Sequence, residues 1–248
     1  MAIKNSINNA SSTFAVTSGL TNTSGTVTIN SGTSAYSLST DASATTVNLA
    51  TGGAAKVVTL GSTNSSSSLA LKYGTADFTM ASATGTIMSA LDTGEITYPL
   101  QSAFLAYLGS TDTNVTGAGG SFTIGSTTAL TEVFDQNSDF NTNGTFTAPV
   151  TGRYHLIGCT LLSDIGAGMT SGITQLVTSN RTYNASHISP VAAKDASNQI
   201  SLYITALADM DNADTAVFRT SISGGAGATA DCSGSSDSIT YFCGYLAC

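Results

Sequence analysis

Short alternating patterns of apolar residues recur between residues 26 and 88. In six segments a single residue separates two apolar ones, and a seventh segment has two adjacent apolar residues. Successive pairs start 9 or 11 residues apart. Alternation at a period of two predicts short β-strands separated by turns, and the regular spacing predicts a repeat architecture. The pairs are Val27/Ile29, Tyr36/Leu38, Val47/Leu49, Val58/Leu60, Leu69/Leu71, Phe78/Met80 and Ile87/Met88.

A single chain has little to bury these pairs against. The apolar surface of so few side chains does not offset the conformational entropy lost when the whole segment is ordered. Three copies could bury the pairs along a common axis and pair the exposed strand edges. We therefore predict a repetitive trimeric β-stalk over residues 26–100, with a flexible Ser/Thr-rich linker as the alternative. Residues 1–25 lack the pattern and are predicted to be an attachment segment.

From residue 101 the apolar patterns become longer. Nine strand candidates with turn signals between them occupy residues 101–248, and no helical run of about ten residues is present. This spacing is typical of a β-sandwich or jelly roll. The fold class is therefore all-β throughout. The candidates are 102–108, 122–125, 131–135, 144–149, 154–162, 173–177, 199–207, 215–222 and 238–248.

The stretch "GTFTAPVTGRYHL", residues 144–156, predicts a strand, a corner and a return strand. Phe146 and Ala148 would point to one face of the first strand. Pro149 lacks an N–H and can end the strand without leaving a donor unpaired. Tyr154 and Leu156 then alternate on the return strand. The stretch is therefore predicted to be architectural, and Tyr154 is not expected to be catalytic.

These residues carry a family resemblance. The stretches "AFLAYL" (103–108), "VFDQNSDFNTNGTFTAPVTGRYHL" (133–156), "LADMDNADTAVF" (207–218) and "ITYFCGYLAC" (239–248) resemble, in this order, the C1q/TNF-like jelly-roll family. The likeness is to the form found at the tips of phage and viral fibres and of bacterial collagen-like proteins. It covers residues 101–248, about 60% of the chain.

The resemblance implies a compact homotrimer whose closing strand lies near the axis. It makes Phe242 and Tyr245 candidates for packing between subunits, with an ordinary place in the core of one chain as the alternative. Some relatives bind calcium near the axis, which draws attention to Asp209, Asp211 and Asp214. That cluster lacks the bidentate Glu and longer ligand run of a calcium loop, so a solvated turn is the favoured interpretation and no cofactor is expected.

Charge and composition exclude some partners. Only 9% of the residues are charged, against about 25% in ordinary soluble domains. The formal net charge is −8, and no basic stripe is present, which argues against nucleic acid. No apolar run approaches the ~18 residues of a transmembrane helix, so no membrane insertion is expected.

The cellular compartment is predicted from the N-terminus and the cysteines. Residues 1–16 contain no apolar core of a secretory signal, which favours assembly in the cytosol and release as part of a virion. A removed signal is the alternative. Cys159, Cys232, Cys243 and Cys248 form no CxxC pair, so a zinc site is poorly supported. Buried thiols are favoured, and a disulfide among the last three remains possible.

The sequence contains no catalytic motif that we recognise. It has no GxSxG, Walker, HExxH or GxGxxG pattern, and the two histidines have no visible catalytic partner. The chain is therefore expected not to be an enzyme.

Recognition is expected in loops, because binding residues are often found on loops held by a rigid scaffold. The loops 109–121, 163–172, 180–198 and 223–237 are the candidates. Arg181, Tyr183 and His187 offer the richest polar and aromatic set for receptor binding.

These observations favour a structural virion fibre or spike protein. Its N-terminus would bind a virion attachment protein, and its head would bind a host surface protein or glycan. The alternative is a self-assembling extracellular filament or surface-layer-like protein, in which N-terminal strands pair with the next subunit.

Overall fold

The computed structural model describes residues 47, 49–51, 55–61 and 68–248. The chain forms two compact units, Met1–Ala70 and Leu71–Cys248. The predicted strands at 26–29 and 35–38, and the predicted attachment segment, lie outside the described residues. The fold described below is that of the second unit.

The described apolar pairs before residue 78 are not in strands. The pairs Val58/Leu60 and Leu69/Leu71 have no strand assignment, and all four side chains are more than half exposed. The stalk prediction assumes burial between three chains, so a single chain does not test it and it stays a prediction. A β-strand needs a hydrogen-bonded neighbour, and none of the described residues supplies one here.

Sixteen strands and one short helix follow in the described part of the chain. They are β1 (Phe78–Ser82), β2 (Gly85–Ala90), β3 (Ile96–Thr97), β4 (Ala103–Tyr107), β5 (Asp112–Thr116), β6 (Ser121–Thr123), β7 (Thr131–Gln136), β8 (Phe140–Asn141), β9 (Thr145–Thr147), β10 (Gly152–Ser163), β11 (Ser171–Thr178), β12 (Thr182–Ile188), α1 (Pro190–Ala193), β13 (Ile200–Met210), β14 (Thr215–Ser223), β15 (Ala230–Ser233) and β16 (Tyr241–Leu246). In the described part of the chain no helix is long and apolar enough to span a bilayer.

The strands form three antiparallel sheets. β1, β2 and β3 make a small sheet, which we call the neck sheet. A seven-stranded sheet contains β5, β15, β10, β16, β4 and β7, with β13 on the other edge of β10. A six-stranded sheet runs β12–β11–β14–β9–β8, with β6 also paired to β14. The two larger sheets form a sandwich, so the prediction of an all-β sandwich for residues 101–248 is confirmed.

The core lies between the two larger sheets. Phe104 stacks on Phe140 and Phe146 at ring-centroid distances of 4.6 and 4.9 Å. The predicted corner is architectural, as expected: Phe146, Ala148, Tyr154 and Leu156 are all fully buried. The Tyr154 hydroxyl donates to the Val150 carbonyl oxygen at 2.8 Å, and burial raises the pKa of Tyr154. This hydrogen bond ties the corner to its own return strand.

Four strands of the sandwich were not predicted from the sequence. β5, β12 and β15 lie inside stretches that were predicted to be loops, and β8 is only two residues long. The stretch 180–198 therefore contains a seven-residue strand and the helical turn α1 instead of a continuous loop. Asp, Asn and Ser have weak strand signals of their own, so pairing with distant strands decides the conformation of these segments.

Strand direction gives the sandwich two distinct ends. The proximal end, where β4 and β10 begin and β13 and β16 end, receives the chain from the neck sheet. The distal end holds the connections around residues 109–120, 164–170, 189–199 and 224–229.

Three amide side chains join the segment that follows the neck sheet to the proximal end. Gln101 Nε2 donates to Leu246 O (2.6 Å), Gln136 Nε2 to Tyr98 O (2.9 Å) and Asn137 Nδ2 to Leu100 O (2.7 Å).

Candidate functional site

The middle of the outer face of the seven-stranded sheet is apolar and open, with the charged pair Arg153 and Asp209 at its proximal edge. Directly paired residues in antiparallel strands point to the same side of a sheet, so the strand registers define three rows of side chains. We call this surface the apolar face. Its rows are Leu207–His155–Tyr245, Thr205–Ile157–Cys243–Leu105–Phe134 and Tyr203–Cys159–Tyr241–Tyr107.

Large side chains of the apolar face meet solvent. Tyr203 is 57% exposed, Leu207 56%, Phe134 49% and Tyr245 47%. None of the residues in the three rows is Asp, Glu, Lys or Arg. Large contiguous apolar surface is uncommon on soluble monomers, so this face is a candidate interaction site.

His155 is the polar centre of one row. Its Nδ1 lies 3.0 Å from the Tyr245 hydroxyl and its Nε2 lies 2.8 Å from Thr205 Oγ1. The imidazole and the Tyr245 ring meet edge-to-face at 5.3 Å. Both ring nitrogens therefore have hydroxyl partners on the neighbouring strands. Among the described residues, no carboxylate hydrogen-bonds to this histidine.

The two predicted trimer-packing residues have opposite locations. Tyr245 lies on the apolar face. Phe242 is fully buried in the sandwich, with its ring 5.0 Å from that of Phe104. The candidate role of Phe242 in packing between subunits is therefore corrected in favour of the core alternative. Alternation along β16 sends the two side chains to opposite sides of the sheet.

The neck sheet also has an uncovered apolar side. The register aligns Phe78 with Ala90 and Ile96, and Met80 with Met88. Met80 and Ile96 are more than half exposed. The opposite side carries Thr79, Ser89 and Thr97 in one aligned row. Covering these exposed apolar side chains with another layer would stabilise the neck sheet.

The outer face of the six-stranded sheet is different in character. One row crosses four strands through the paired residues Asn184, Gln175, Arg219 and Thr123. We call it the polar row. Gln175 Nε2 donates to Asn184 Oδ1 at 2.9 Å, and Arg219 Nε donates to Thr123 Oγ1 at 3.0 Å. The row therefore presents amide, guanidinium and hydroxyl groups on one level of the sheet.

The three residues predicted for receptor binding do not form a cluster. Arg181 lies in the proximal turn before β12, where its carbonyl oxygen accepts a hydrogen bond from the Thr178 hydroxyl. Tyr183 is partly buried and packs against the core. His187 is exposed near the distal end of β12. Six residues of a strand span roughly 20 Å, so a common site of Arg181 and His187 is not supported.

The distal loops are tied to one another by backbone groups. Gly117 N and Gly119 N both donate to Ile222 O, Gly225 N donates to Gly117 O, and Thr170 N donates to Ser223 O. A Cβ on Gly117 would lie 2.4 Å from Gly227 O, and one on Gly224 would lie 2.3 Å from Gly168 O. We call these interlocked segments the distal cap. Three of the loops predicted for recognition, 109–121, 163–172 and 223–237, therefore meet at one end and hold one another in place.

The acidic cluster forms a turn. Asp214 Oδ2 accepts hydrogen bonds from Asp211 N (2.8 Å) and from Asn180 Nδ2 (2.7 Å). Asp209 is paired in register with Arg153 on β10. Among the described residues no group of three or more His, Cys, Asp or Glu side chains has the arrangement of a metal site. The contacts found here stabilise the turn between β13 and β14.

All four cysteines are free thiols in the structure. Cys159 and Cys232 are buried, Cys243 is half-buried and Cys248 is exposed. Burial raises the pKa of Cys232 to about 11, while the Thr160 hydroxyl, 3.3 Å from its Sγ, opposes the shift. Burial also raises the pKa values of Cys159 and Cys243. These three thiols therefore have low nucleophilicity at neutral pH.

Comparisons with known proteins give limited information. No family model and no curated protein matches the chain. Solved structures similar to it include the globular domain of zebrafish complement 1qA protein, with 16% identity, 60% of this chain and 98% of that chain covered, and a TM-score of 0.39. Murine APRIL at pH 8.0 has 12% identity, 59% and 98% coverage and a TM-score of 0.40.

PRD1 vertex protein P5 shares 7% identity over 71% of this chain and 85% of that chain, with a TM-score of 0.41. Likenesses at these identities and TM-scores establish neither a family nor a function. The C1q/TNF-like assignment stays a prediction from the sequence motifs.

Proposed function

We propose that this chain is a homotrimeric structural protein of the fibre or spike type, with a head that contacts a cell surface. The observation that carries the proposal is the apolar face of the head. Its exposed Tyr203, Leu207, Phe134 and Tyr245 side chains would be covered by neighbouring copies of the same chain. Assembly through this face would remove from water the largest apolar side chains that the head exposes.

A second copy is the partner that suits this face. The three rows contain no side chain of fixed charge, so copies can approach without repulsion between like charges. Burial of apolar area provides the free energy, at about 25 cal/mol per Å². The number three comes from the resemblance of residues 101–248 to C1q/TNF-like heads.

The neck sheet supports the same arrangement. Its apolar side carries Phe78, Met80, Met88, Ala90 and Ile96, and it joins the head through the three amide hydrogen bonds described above. A parallel bundle of three chains would cover the neck sheets and the apolar faces together. The neck sheet lies within residues 26–100, which the sequence predicts to be a trimeric stalk.

The remaining parts of the proposal follow from the sequence. The N-terminal segment would bind a virion attachment protein, and the protein would be extracellular after cytoplasmic assembly. The distal end and the six-stranded sheet would be free for a host surface protein or glycan. We propose a binding role without catalysis: the pairs that His155 forms with the Thr205 and Tyr245 hydroxyls have no carboxylate to orient them among the described residues, and burial raises the pKa values of three thiols.

The first test is the mass of the full-length protein in solution, by light scattering after size exclusion. A mass near three times 24.9 kDa that persists on dilution is expected. A stable monomer would contradict the proposal. Very large, open-ended species would favour the alternative of a self-assembling filament.

Charged substitutions on the apolar face locate the interface. In the double variant Tyr203→Glu, Leu207→Glu, the trimer is expected to dissociate while the folded β-structure remains, because both side chains are exposed in the single chain. Val150→Glu is the matched control, since Val150 is 48% exposed but lies in the proximal corner. An unchanged mass in the double variant would exclude this face as the subunit interface.

A further inference from the structure

The six-stranded sheet contains no carboxylate. Residues 101–248 carry eleven Asp and Glu residues against four Lys and Arg residues, yet none of the eleven lies in β6, β8, β9, β11, β12 or β14. The one Arg or Lys in these strands is Arg219, in the middle of β14. An acidic domain thus presents one sheet whose fixed charge is positive.

Arg219 lies at the centre of the polar row. Its Cα is paired in register with Gln175 on one side and with Thr123 on the other. Neighbouring strands lie about 4.8 Å apart, so the row from Asn184 to Thr123 spans roughly 14 Å. A short oligosaccharide can lie along a row of this length.

Most N–H groups of the Arg219 guanidinium are available to a ligand. Its Nε donates to Thr123 Oγ1 at 3.0 Å, which turns the side chain towards β6 and fixes its plane. Within the described part of the chain, neither terminal nitrogen of Arg219 has a hydrogen-bond or ion-pair partner. Guanidinium binds carboxylate through two parallel hydrogen bonds that these terminal groups can provide.

The amide at the other end of the row is also oriented. Gln175 Nε2 donates to Asn184 Oδ1 at 2.9 Å, which leaves Gln175 Oε1 and Asn184 Nδ2 as an acceptor and a donor. Paired amide groups of this kind recognise hydroxyl groups, which both donate and accept hydrogen bonds. Val177 and Val217 are half-buried and paired in register next to the row, on its proximal side. Their aliphatic side chains could contact the apolar side of a sugar ring.

We infer that the polar row is a binding site for a carboxylate-bearing saccharide, such as a sialylated or uronic-acid-containing glycan. Arg219 binds the carboxylate, and the Gln175–Asn184 pair binds hydroxyl groups of the neighbouring sugar. Charge complementarity favours a saccharide with a carboxylate over a neutral one. The head as a whole is acidic, but the fixed charge of this sheet is positive and attracts the carboxylate. A peptide carboxylate would use Arg219 but would leave the amide pair without hydroxyl partners.

The inference deepens the proposed function, since it names the class of surface glycan that the head binds. The site lies on the side of the sandwich opposite the apolar face, so assembly leaves it accessible. Presentation of three copies on one trimer would raise the avidity for a surface that carries many such glycans.

The test is a titration of the full-length protein with sialyllactose, a hyaluronan oligosaccharide, lactose and a polyglutamate peptide, followed by NMR or calorimetry. Saturable binding of at least one acidic saccharide, and much weaker binding of lactose and the peptide, is expected. The solution mass is measured on the same sample. Trimers that bind neither acidic saccharide would overturn this inference alone, and a monomer would count against the proposed function alone.

Two arginine variants sharpen the result. Arg219→Gln is expected to weaken binding about tenfold to a hundredfold, which corresponds to the loss of a charge-assisted hydrogen-bonded pair. Arg181→Gln is the matched control, because it removes an equal charge from the exposed proximal turn and is expected to change nothing. Equal binding by wild type and Arg219→Gln, equal affinity for lactose, or equal affinity for polyglutamate would each overturn the inference.

Discussion

The outer faces of the two large sheets are both formed by alternate residues of antiparallel strands, but their side chains differ in chemistry. The seven-stranded sheet exposes Tyr203, Leu207 and Tyr245 and has no fixed charge in its three rows. The six-stranded sheet exposes an amide, a guanidinium and hydroxyls in one row around Arg219. Covering the first face with a like surface removes apolar side chains from water, which lowers the free energy. The polar groups of the second face are solvated by water, which the ligand proposed above, of opposite charge, would replace.

The largest expected effect comes from the core that both faces share. A Cβ on Gly158 of β10 would lie 2.5 Å from the Phe218 ring of β14. Gly158→Ala should therefore push the sheets apart and lower the free energy of unfolding by about 3 kcal/mol, which chemical denaturation would measure. Gly120→Ala, with no atom within 4 Å of its Cβ, is the control. Equal stability of both variants would contradict the packing described here.

A second substitution addresses the crossover between the two sheets. Asp135 at the end of β7 accepts hydrogen bonds from Asp139 N and Phe140 N, both at 3.1 Å. Asp135→Ala would leave these donors without acceptors and should cost about 1–3 kcal/mol of stability. Thermal unfolding would show the loss, while Asp237→Ala in an exposed distal loop should leave the melting temperature unchanged. A stable Asp135→Ala variant would show that the crossover does not depend on this cap.

A matched pair of variants separates the two faces directly. Tyr245→Phe removes the hydroxyl that pairs with His155 on the apolar face, and Thr123→Val removes the acceptor of Arg219 Nε in the polar row. Each loses one hydrogen bond, worth about 1 kcal/mol or about fivefold in an equilibrium constant. Tyr245→Phe should weaken self-association alone, and Thr123→Val should weaken acidic-saccharide binding alone. Sedimentation would measure self-association and titration would measure saccharide binding for both variants. A variant that changes both quantities would contradict the separation of the two faces.

The smallest effect concerns pH. Burial raises the pKa of Asp139, and the neighbouring Asp135 adds to the shift. The folded chain therefore binds this proton more tightly than the unfolded chain does. The stability contributed by Asp139 should decline as pH rises from its ordinary value of 3.8 through the raised value, and stay constant above it.

Asp139→Asn tests the sign of this effect. The variant should unfold with a weaker pH dependence over that window and should be slightly more stable than wild type at neutral pH. Denaturation at several pH values would measure both quantities. A variant that is less stable than wild type at neutral pH would show that the charged form of Asp139 is the stabilising one.

Much of the sandwich could be predicted from apolar alternation. β10, β11, β13 and β14 have strong alternating patterns, and their predicted ranges overlap the observed strands. The corner around Phe146 and Tyr154 was also predicted, because Pro149 and the flanking aromatics mark it locally. β12 was missed, since its Asn, Ser and His residues become a strand only through pairing with β11.

The polar row could not be predicted from one sequence. Residues 123, 175, 184 and 219 meet only because three strand registers place them side by side. The sequence groups Arg181, Tyr183 and His187 because they are neighbours in the chain, but Tyr183 packs against the core and the length of β12 separates Arg181 from His187. Sequence proximity finds loops well, whereas a site on a sheet face depends on registers between distant strands.

The distal cap has a consequence for how new binding properties could be obtained. Its segments touch through backbone atoms at Gly117 and Gly224, with no room for side chains. A library that randomises these loops would mostly yield unfolded proteins. The four positions of the polar row are partly exposed side chains on rigid strands, so they could be varied with little cost to folding. Diversification of this head, by selection or by design, should therefore succeed on the flank of the sandwich rather than at its tip.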